Sequence, residues 1–289
     1  MRARTDRIMT VQDTTRSAYD SAHAGAVWTD LGHEGRVEVR GADRLSWLQG
    51  LLSNDVAPLA AGQGCYATYL TPQGRMIADV RVLVREDAVW VDLPGQVKDA
   101  VLARLEMFVI SEDVELRDLA PAVSRIAVHG PDAAHAIAAA LVEDEGHRAA
   151  CAAALAALPA HAHLAHPWRG HDVLVAADPR LAVPGFDLYV AQAQRNAILE
   201  ALRTAGVVPN DESTWHLLHV EAGQPRFGID MDEDTIPLEA GLETDAISFT
   251  KGCYVGQEIV VRMRDRGHGR VAKRLMRLVA AAPDPGPSP

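Results

Sequence analysis

The segment from Cys65 to Val84 constrains the fold more than any other. Residues 65–71 and 75–84 are two largely apolar stretches joined by Thr71-Pro72-Gln73-Gly74. Proline presets φ at the second turn position and glycine relaxes the fourth, which predicts two antiparallel strands of one hairpin. Side chains alternate along the second strand. Met76, Ala78, Val80, Val82 and Val84 share one face, while Arg75, Asp79 and Arg81 share the other with Ile77 and Leu83. Further strands are predicted at 35–41, 88–93, 114–119, 125–129, 172–177 and 186–191. Helical spacing links Leu45, Leu48, Leu51 and Leu52 behind Asp43 as N-cap, and Val97, Val101, Leu102, Leu105 and Phe108. Pro131 starts an alanine-rich helix, 192–205 and 212–221 are two more, and 149–166 is weakly patterned with a break at Pro159. The short turns make the sheets at least partly antiparallel, and the whole reads as α+β in more than one unit.

The chain has 289 residues, 48% hydrophobic and 23% charged, the balance of a globular protein rather than a disordered one. Its formal net charge of −11 supplies no field to hold a polyanion, so nucleic acid is not an expected partner. Three cysteines, Cys65, Cys151 and Cys253, make no disulfide framework and suit a reducing compartment. The polar N-terminus lacks the apolar core of a signal peptide, and no stretch reaches the roughly 18 apolar residues that span a bilayer. A soluble, cytoplasmic protein without a membrane partner is expected. A flexible arm is expected at 1–17 and a frayed, proline-rich tail at 283–289.

Several motifs have plain explanations. The acidic run Asp230, Asp232, Glu233 and Asp234 lacks the glycine and distal glutamate of an EF-hand loop and reads as a solvated loop. His161, His163, His166 and His171 follow no zinc spacing, so no metal site is expected. Gly267-His268-Gly269-Arg270-Val271-Ala272 matches a dinucleotide fingerprint in letters only, since no apolar strand precedes it, and reads as a basic turn. Arg262, Arg264, Arg266, Arg270, Lys273, Arg274 and Arg277 reverse the acidic balance locally. Such a run is a solvated face or an attractor for a negative partner.

The octet Lys251-Gly252-Cys253-Tyr254-Val255-Gly256-Gln257-Glu258 carries more. Its two glycines permit a sharp turn or a close approach, and the chain from Gly256 reads as a helix start with acid in its first turn. A thiol near a helix N-terminus and a lysine gains thiolate character. A small cysteine buried in a packed turn is an equal reading on chemistry alone.

This octet resembles the signature K-G-C-[FY]-x-G-Q-E of the YgfZ family. These are folate-binding proteins of iron–sulfur cluster assembly and repair, similar in fold to the T-protein (aminomethyltransferase) of the glycine cleavage system. The T-protein has no such cysteine. Matches continue in order over about residues 18–278: Val39-Arg40-Gly41-Ala42-Asp43, Trp47-Leu48-Gln49-Gly50, Thr71 to Asp79, Val220-Glu221-Ala222-Gly223, Phe227 to Glu233 and Thr235-Ile236-Pro237. The resemblance implies two interleaved, pseudo-symmetric α+β domains around a central folate pocket, one of residues 18–52 and 122–222 and the other of 53–121 and 223–265. Tetrahydrofolate is the implied cofactor. Asp79 falls where the T-protein has its catalytic aspartate, which faces the reactive folate nitrogens. Asp187 falls where that enzyme has a pterin-contacting glutamate, and Glu221 matches a glutamate of the same central region. Carboxylates suit this work, because a pterin edge offers paired N–H donors. An aspartate near N5 or N10 can act as an acid. Cys253 is the implied functional thiol, with Lys251 beside it in the catalytic set. The implied protein partners are the iron–sulfur assembly machinery or its client enzymes.

The chain also departs from the pattern. Trp215 and His219 stand where the T-protein has arginines, and Asp187 is one methylene shorter than glutamate. Only 31 residues follow Glu258, too few for the C-terminal six-stranded β-barrel of family members. The barrel is therefore expected to be absent or truncated, leaving 266–289 as a basic stub and tail. Two functions compete: a folate-binding accessory factor with a working thiol, and an aminomethyltransferase acting through Asp79.

Overall fold

The computed structural model describes residues 11–265 and 271–279. The elements in chain order are α1 (Val11–Ala24), β1 (Val27–Asp30), β2 (Gly35–Arg40), α2 (Arg44–Leu51), β3 (Gly64–Leu70), β4 (Met76–Val84), β5 (Ala88–Leu93), α3 (Lys98–Glu106), β6 (Glu115–Asp118), β7 (Val123–His129), α4 (Ala133–Leu141), α5 (Glu145–Ala156), β8 (His163–Trp168), β9 (His171–Ala177), β10 (Gly185–Ala191), α6 (Arg195–Thr204), β11 (Val208–Pro209), α7 (Glu212–Ala222) and α8 (Gln257–Asp265). They form two sheets, ordered β3-β4-β5-β2-β6 and β11-β1-β7-β10-β9-β8. The predicted hairpin is β3–β4, closed by the bonds from Gly74 N to Thr71 O (2.8 Å) and from Thr71 N to Arg75 O (2.8 Å).

The α+β pseudo-symmetry is visible in the chain itself. A strand, a left-handed glycine and a helix recur as β2–Gly41–α2 and β7–Gly130–α4 (φ +102° and +136°). A strand, a 3₁₀ turn and a helix recur as β5–α3 and β10–α6. Among the described residues there is no closed barrel.

Strand alternation explains how the halves meet. In the first sheet Val37, Val39, Ala78, Val80, Val82, Val89 and Val91 pack under α2 and α3. In the second, Ile126, Val128, Phe186, Leu188 and Val190 pack under α4, α5 and α6. Successive side chains of a strand point to opposite faces, so Arg36, Arg81, Asp92, Arg125, Asp187 and Tyr189 are sent to the other side. There the two sheets face each other, with Leu83, Trp90, Leu174, Ala176 and Tyr189 forming a small apolar cluster. The interface is thus rich in buried charge while both helix-covered faces are apolar.

Three expectations are corrected. The change of sheet lies not at residue 52 but between Asp30 and Gly35, because β2 pairs with β5 and β6 and brings α2 with it. Residues 11–17, expected in a flexible arm, belong to α1, whose Ala18 is buried and whose Ala22 clusters with Trp215 and Leu218 of α7. Residues 1–10 lie outside the described residues, as do 266–270 of the basic turn and the tail from 280. Asp43 does stand at the N-cap of α2, but its carboxylate accepts from Asp113 N (2.8 Å) instead of from the helix.

Candidate functional site

Where the sheets meet, three buried arginines, the half-buried Arg180 and three buried aspartates interlock. Arg36 Nε donates to Asp92 Oδ1 (2.6 Å), whose other oxygen accepts from Tyr189 Oη. Arg125 Nη2 donates to Asp187 Oδ2 (2.9 Å), as does Arg81 Nη1. Arg180 grips Asp178 with Nε (2.8 Å) and Nη2 (2.9 Å). Burial alone would raise the proton affinity of these acids. Arg36 and Arg125 nevertheless hold Asp92 below the usual carboxylate range, and Arg180 and Arg81 hold Asp178 well below it.

A narrow cleft of about 90 Å³ opens onto this joint. Glu34, Tyr66, Asp79, Arg81, Asp92, Arg125, Arg180, Trp215, His219, Gln224 and Arg226 are among the residues that line it. Its convergent polar groups suit the polar edge of a ligand. Asp79 differs from the other acids. Among the described residues it has no arginine or lysine partner; Oδ2 accepts from Tyr66 Oη (2.8 Å) and the buried Oδ1 has no partner. Burial therefore raises its proton affinity, against the opposing pull of the Tyr66 hydrogen bond and Arg180.

The other implied folate carboxylates lie elsewhere. Asp187 is fully buried behind the cleft and ion-paired in the joint: Oδ2 accepts from Arg81 and Arg125, and Oδ1, without a hydrogen bond, lies 2.9 Å from Arg125 Nε. Glu221 is on the far side of α7, where Oε2 meets His23 Nε2 of α1 at 3.0 Å. Trp215 and His219 do reach the cleft wall, ring against ring (centroids 4.5 Å apart). Burial pushes the His219 imidazole down to about 3, so it is neutral at physiological pH.

The octet forms a separate surface. Cys253 is exposed, ahead of α8. Lys251 does not serve as its free neighbour. The Lys251 ammonium donates to the carbonyls of Gln49 (2.8 Å), Leu52 (2.6 Å) and Asn54 (2.8 Å), using all three hydrogens to close the C-terminal end of α2. Burial pulls Lys251 down to about 8, leaving it charged at neutral pH. Gly256 (φ +84°) lies against the hairpin turn, where a Cβ would come within 2.5 Å of Thr71 O. The octet is therefore fastened to α2 by a lysine and to the β3–β4 turn by a glycine. Lys251→Met should cost about 2–3 kcal/mol, since it strands buried carbonyls. It should also speed alkylation of Cys253; denaturant unfolding and thiol labelling of the folded protein check the two parts.

Sequence reasoning found Asp79 and, through alternation, Arg81 on its face. It missed Tyr66, Arg180, Gln224 and Arg226. Tyr66 could have been found, because it lies one strand away on the same hairpin. The others come from irregular loops, which leave no periodic signal.

The sequence match places the chain in a known family. Residues 7–251 match the family model described as the GCVT N-terminal domain, and the chain belongs to that family. It is 27% identical over 252 residues to an aminomethyltransferase of Rubrobacter xylanophilus, an alignment that covers 87% of this chain and 65% of that protein. It is 28% identical over 253 residues to the tRNA-modifying protein YgfZ of Sodalis glossinidius, covering 87% of this chain and 71% of that one. The chain spans 62 to 71% of the length of these and another curated relative. The crystal structure of glycine cleavage system aminomethyltransferase T from Bartonella henselae superposes with a TM-score of 0.76 at 20% identity, over 87% of this chain and 66% of that one. The expected kinship with YgfZ and the aminomethyltransferase fold is borne out. No helix among the described residues is long and apolar enough to cross a membrane.

Proposed function

We propose that the cleft binds tetrahydrofolate and that the protein is an accessory factor for iron–sulfur cluster assembly or repair, with Cys253 as its working thiol. The observation that carries the folate part is Asp79, a carboxylate without a cationic partner whose buried Oδ1 is unsatisfied at the wall of the polar cleft. Bound tetrahydrofolate would supply N5 and N10 as carriers of a one-carbon unit. Asp79 would accept an N–H at Oδ1 or hold a proton there, which its raised proton affinity favours. Trp215 and His219 would exclude water from the same wall with uncharged rings. Asp187 and Glu221 take no part in this reading. The accessory role is supported by the complete octet and by the exposure of Cys253, which a partner protein can reach. The partners would be the assembly machinery or its client enzymes, in the cytoplasm.

A second reading, aminomethyltransferase activity, is favoured by the retention of Asp79 and by relatives that bear that name. Calorimetric titration with tetrahydrofolate should give saturable heat. No heat at high ligand concentration would remove both readings. Robust one-carbon release from an aminomethyl-lipoyl carrier would select the second. Full rescue of cluster-enzyme activity by Cys253→Ala, in cells lacking the native copy, would remove the thiol role.

A further inference from the structure

Tyr66 reaches Asp79 by a diagonal. In the β3–β4 ladder Tyr66 stands opposite Arg81, and Asp79 stands opposite Thr68. The diagonal gap of about 7–8 Å on one face is bridged by the length of a tyrosine. The ring is buried, and its hydroxyl meets Asp79 Oδ2 at 2.8 Å. Gln224, in the segment after α7, donates from Nε2 to the same hydroxyl at 3.5 Å. A phenol has one hydrogen to give. With an N–H already directed at the oxygen lone pair, that hydrogen is turned toward Asp79. The other buried acids of the joint, Asp92, Asp178 and Asp187, are held by arginines. Asp79 is instead held by a neutral donor, and only at one oxygen.

We propose that Tyr66 is a positioning residue for Asp79: oriented by Gln224, its phenol ties down Oδ2 and reserves Oδ1 for a proton or for an N–H of the ligand. The pair explains how an acid can be fixed in a joint full of guanidinium groups without being ion-paired. An arginine partner would hold the carboxylate ionised, as it does in Asp178. Burial also keeps the Tyr66 phenol protonated far above the ordinary tyrosine range, so it remains a donor at all working pH. The charged and titratable groups around Asp79 are Glu34 from the β1–β2 turn, Arg81 of β4, Asp92 of β5, Arg125 of β7, Arg180 after β9, His219 of α7 and Arg226 after it. Each is present in both arms of the comparison below, so the difference between the arms reports on the phenol. The part of the proposal that concerns the ligand rests on the folate reading; the part that concerns the proton does not.

The test is a carbon-detected NMR titration of the aspartate carboxyls in the ligand-free chain, with the Asp79 signal assigned from its loss in Asp79→Asn. Tyr66→Phe removes a hydrogen bond that favours the carboxylate, so the Asp79 midpoint should move up. Gln224→Leu should move it in the same direction, and it serves if Tyr66→Phe does not fold. Affinity for tetrahydrofolate at pH 7 should fall about threefold to tenfold in Tyr66→Phe, the worth of one hydrogen bond. A midpoint that stays or falls in the folded variants would overturn the proposal, even with folate heat intact. A midpoint that rises while wild-type protein gives no folate heat would support the positioning role and remove the folate reading alone.

Discussion

Asp187→Asn is expected to destabilise the protein by about 3–5 kcal/mol, the cost of breaking a buried ion pair from one side. Asp187 is the acceptor for two guanidinium groups from opposite sheets, Arg81 of β4 and Arg125 of β7. Asparagine keeps the shape and removes the charge. Arg81 would then retain the carbonyl of Ala177 (3.0 Å) and a distant Asp178 (4.0 Å), and Arg125 a distant Asp92 (3.7 Å). The two cations would face each other across a buried joint. Removing one of them as well should relieve much of the damage, so Arg81→Met combined with Asp187→Asn is expected to cost less than the sum of the single changes, by about 1 kcal/mol or more. Urea unfolding of the four proteins measures that coupling. Additive costs would mean that the joint is not a network. A nearly unchanged stability for Asp187→Asn, with folate affinity lost, would restore Asp187 as a pterin contact.

That outcome would reverse a particular inference, and the reason it arose is instructive. Motif order identified Asp187 as a counterpart of a ligand-binding glutamate, but motif order is silent about what else is buried nearby. Arg125 and Arg81 sit 62 and 106 residues before Asp187, and their convergence follows from a crossing of the chain between sheets. The crossing itself was misplaced to residue 52 because the strand at 35–40 carries no mark of which sheet it will join; only its pairing with β5 and β6 settles that. Glu221 was misread for a similar reason. Periodicity places it on α7, but whether that face meets the cleft or α1 depends on the docking of α1, whose first turns read as an ordinary polar arm.

What was legible was local. The hairpin β3–β4, its Thr71–Gly74 turn and the two faces of β4 all follow from alternation and turn chemistry, and they put Asp79 and Arg81 together on one side. The octet was legible as a turn before a helix, which Gly256 and α8 satisfy. Its lysine was not. A lysine two residues from a cysteine suggests thiol chemistry, yet the end of α2, some 200 residues earlier, leaves carbonyls that need donors, and a charged amine with three hydrogens meets that need.

The opposite balance is expected at Asp79. Its proton affinity is raised by burial above the ordinary value of 3.8. The native state therefore binds this proton more tightly than the unfolded chain does. The stability gained is fully present below the unfolded midpoint and is lost as pH rises through the raised native one. Above that midpoint the buried carboxylate is a burden on the fold. Asp79→Asn keeps an acceptor for the Tyr66 hydroxyl and removes the charge, so it should stabilise the protein by about 1 kcal/mol, or about 2–4 °C in Tm, at pH 7. The advantage should shrink as pH falls through the raised native midpoint, where the wild-type acid becomes neutral. Ligand binding should move the other way. A ligand that donates an N–H to Oδ1 would meet an amide donor there if asparagine keeps its carbonyl on Tyr66, which strands two donors against each other. Tetrahydrofolate affinity should fall about 10- to 100-fold. Thermal melts from pH 4 to 8 and calorimetry at pH 7 read the two effects on the same variant. A stabilised protein with weakened binding is the signature of an acid kept in place for its chemistry, whereas a destabilised one would make Asp79 a structural group of the joint.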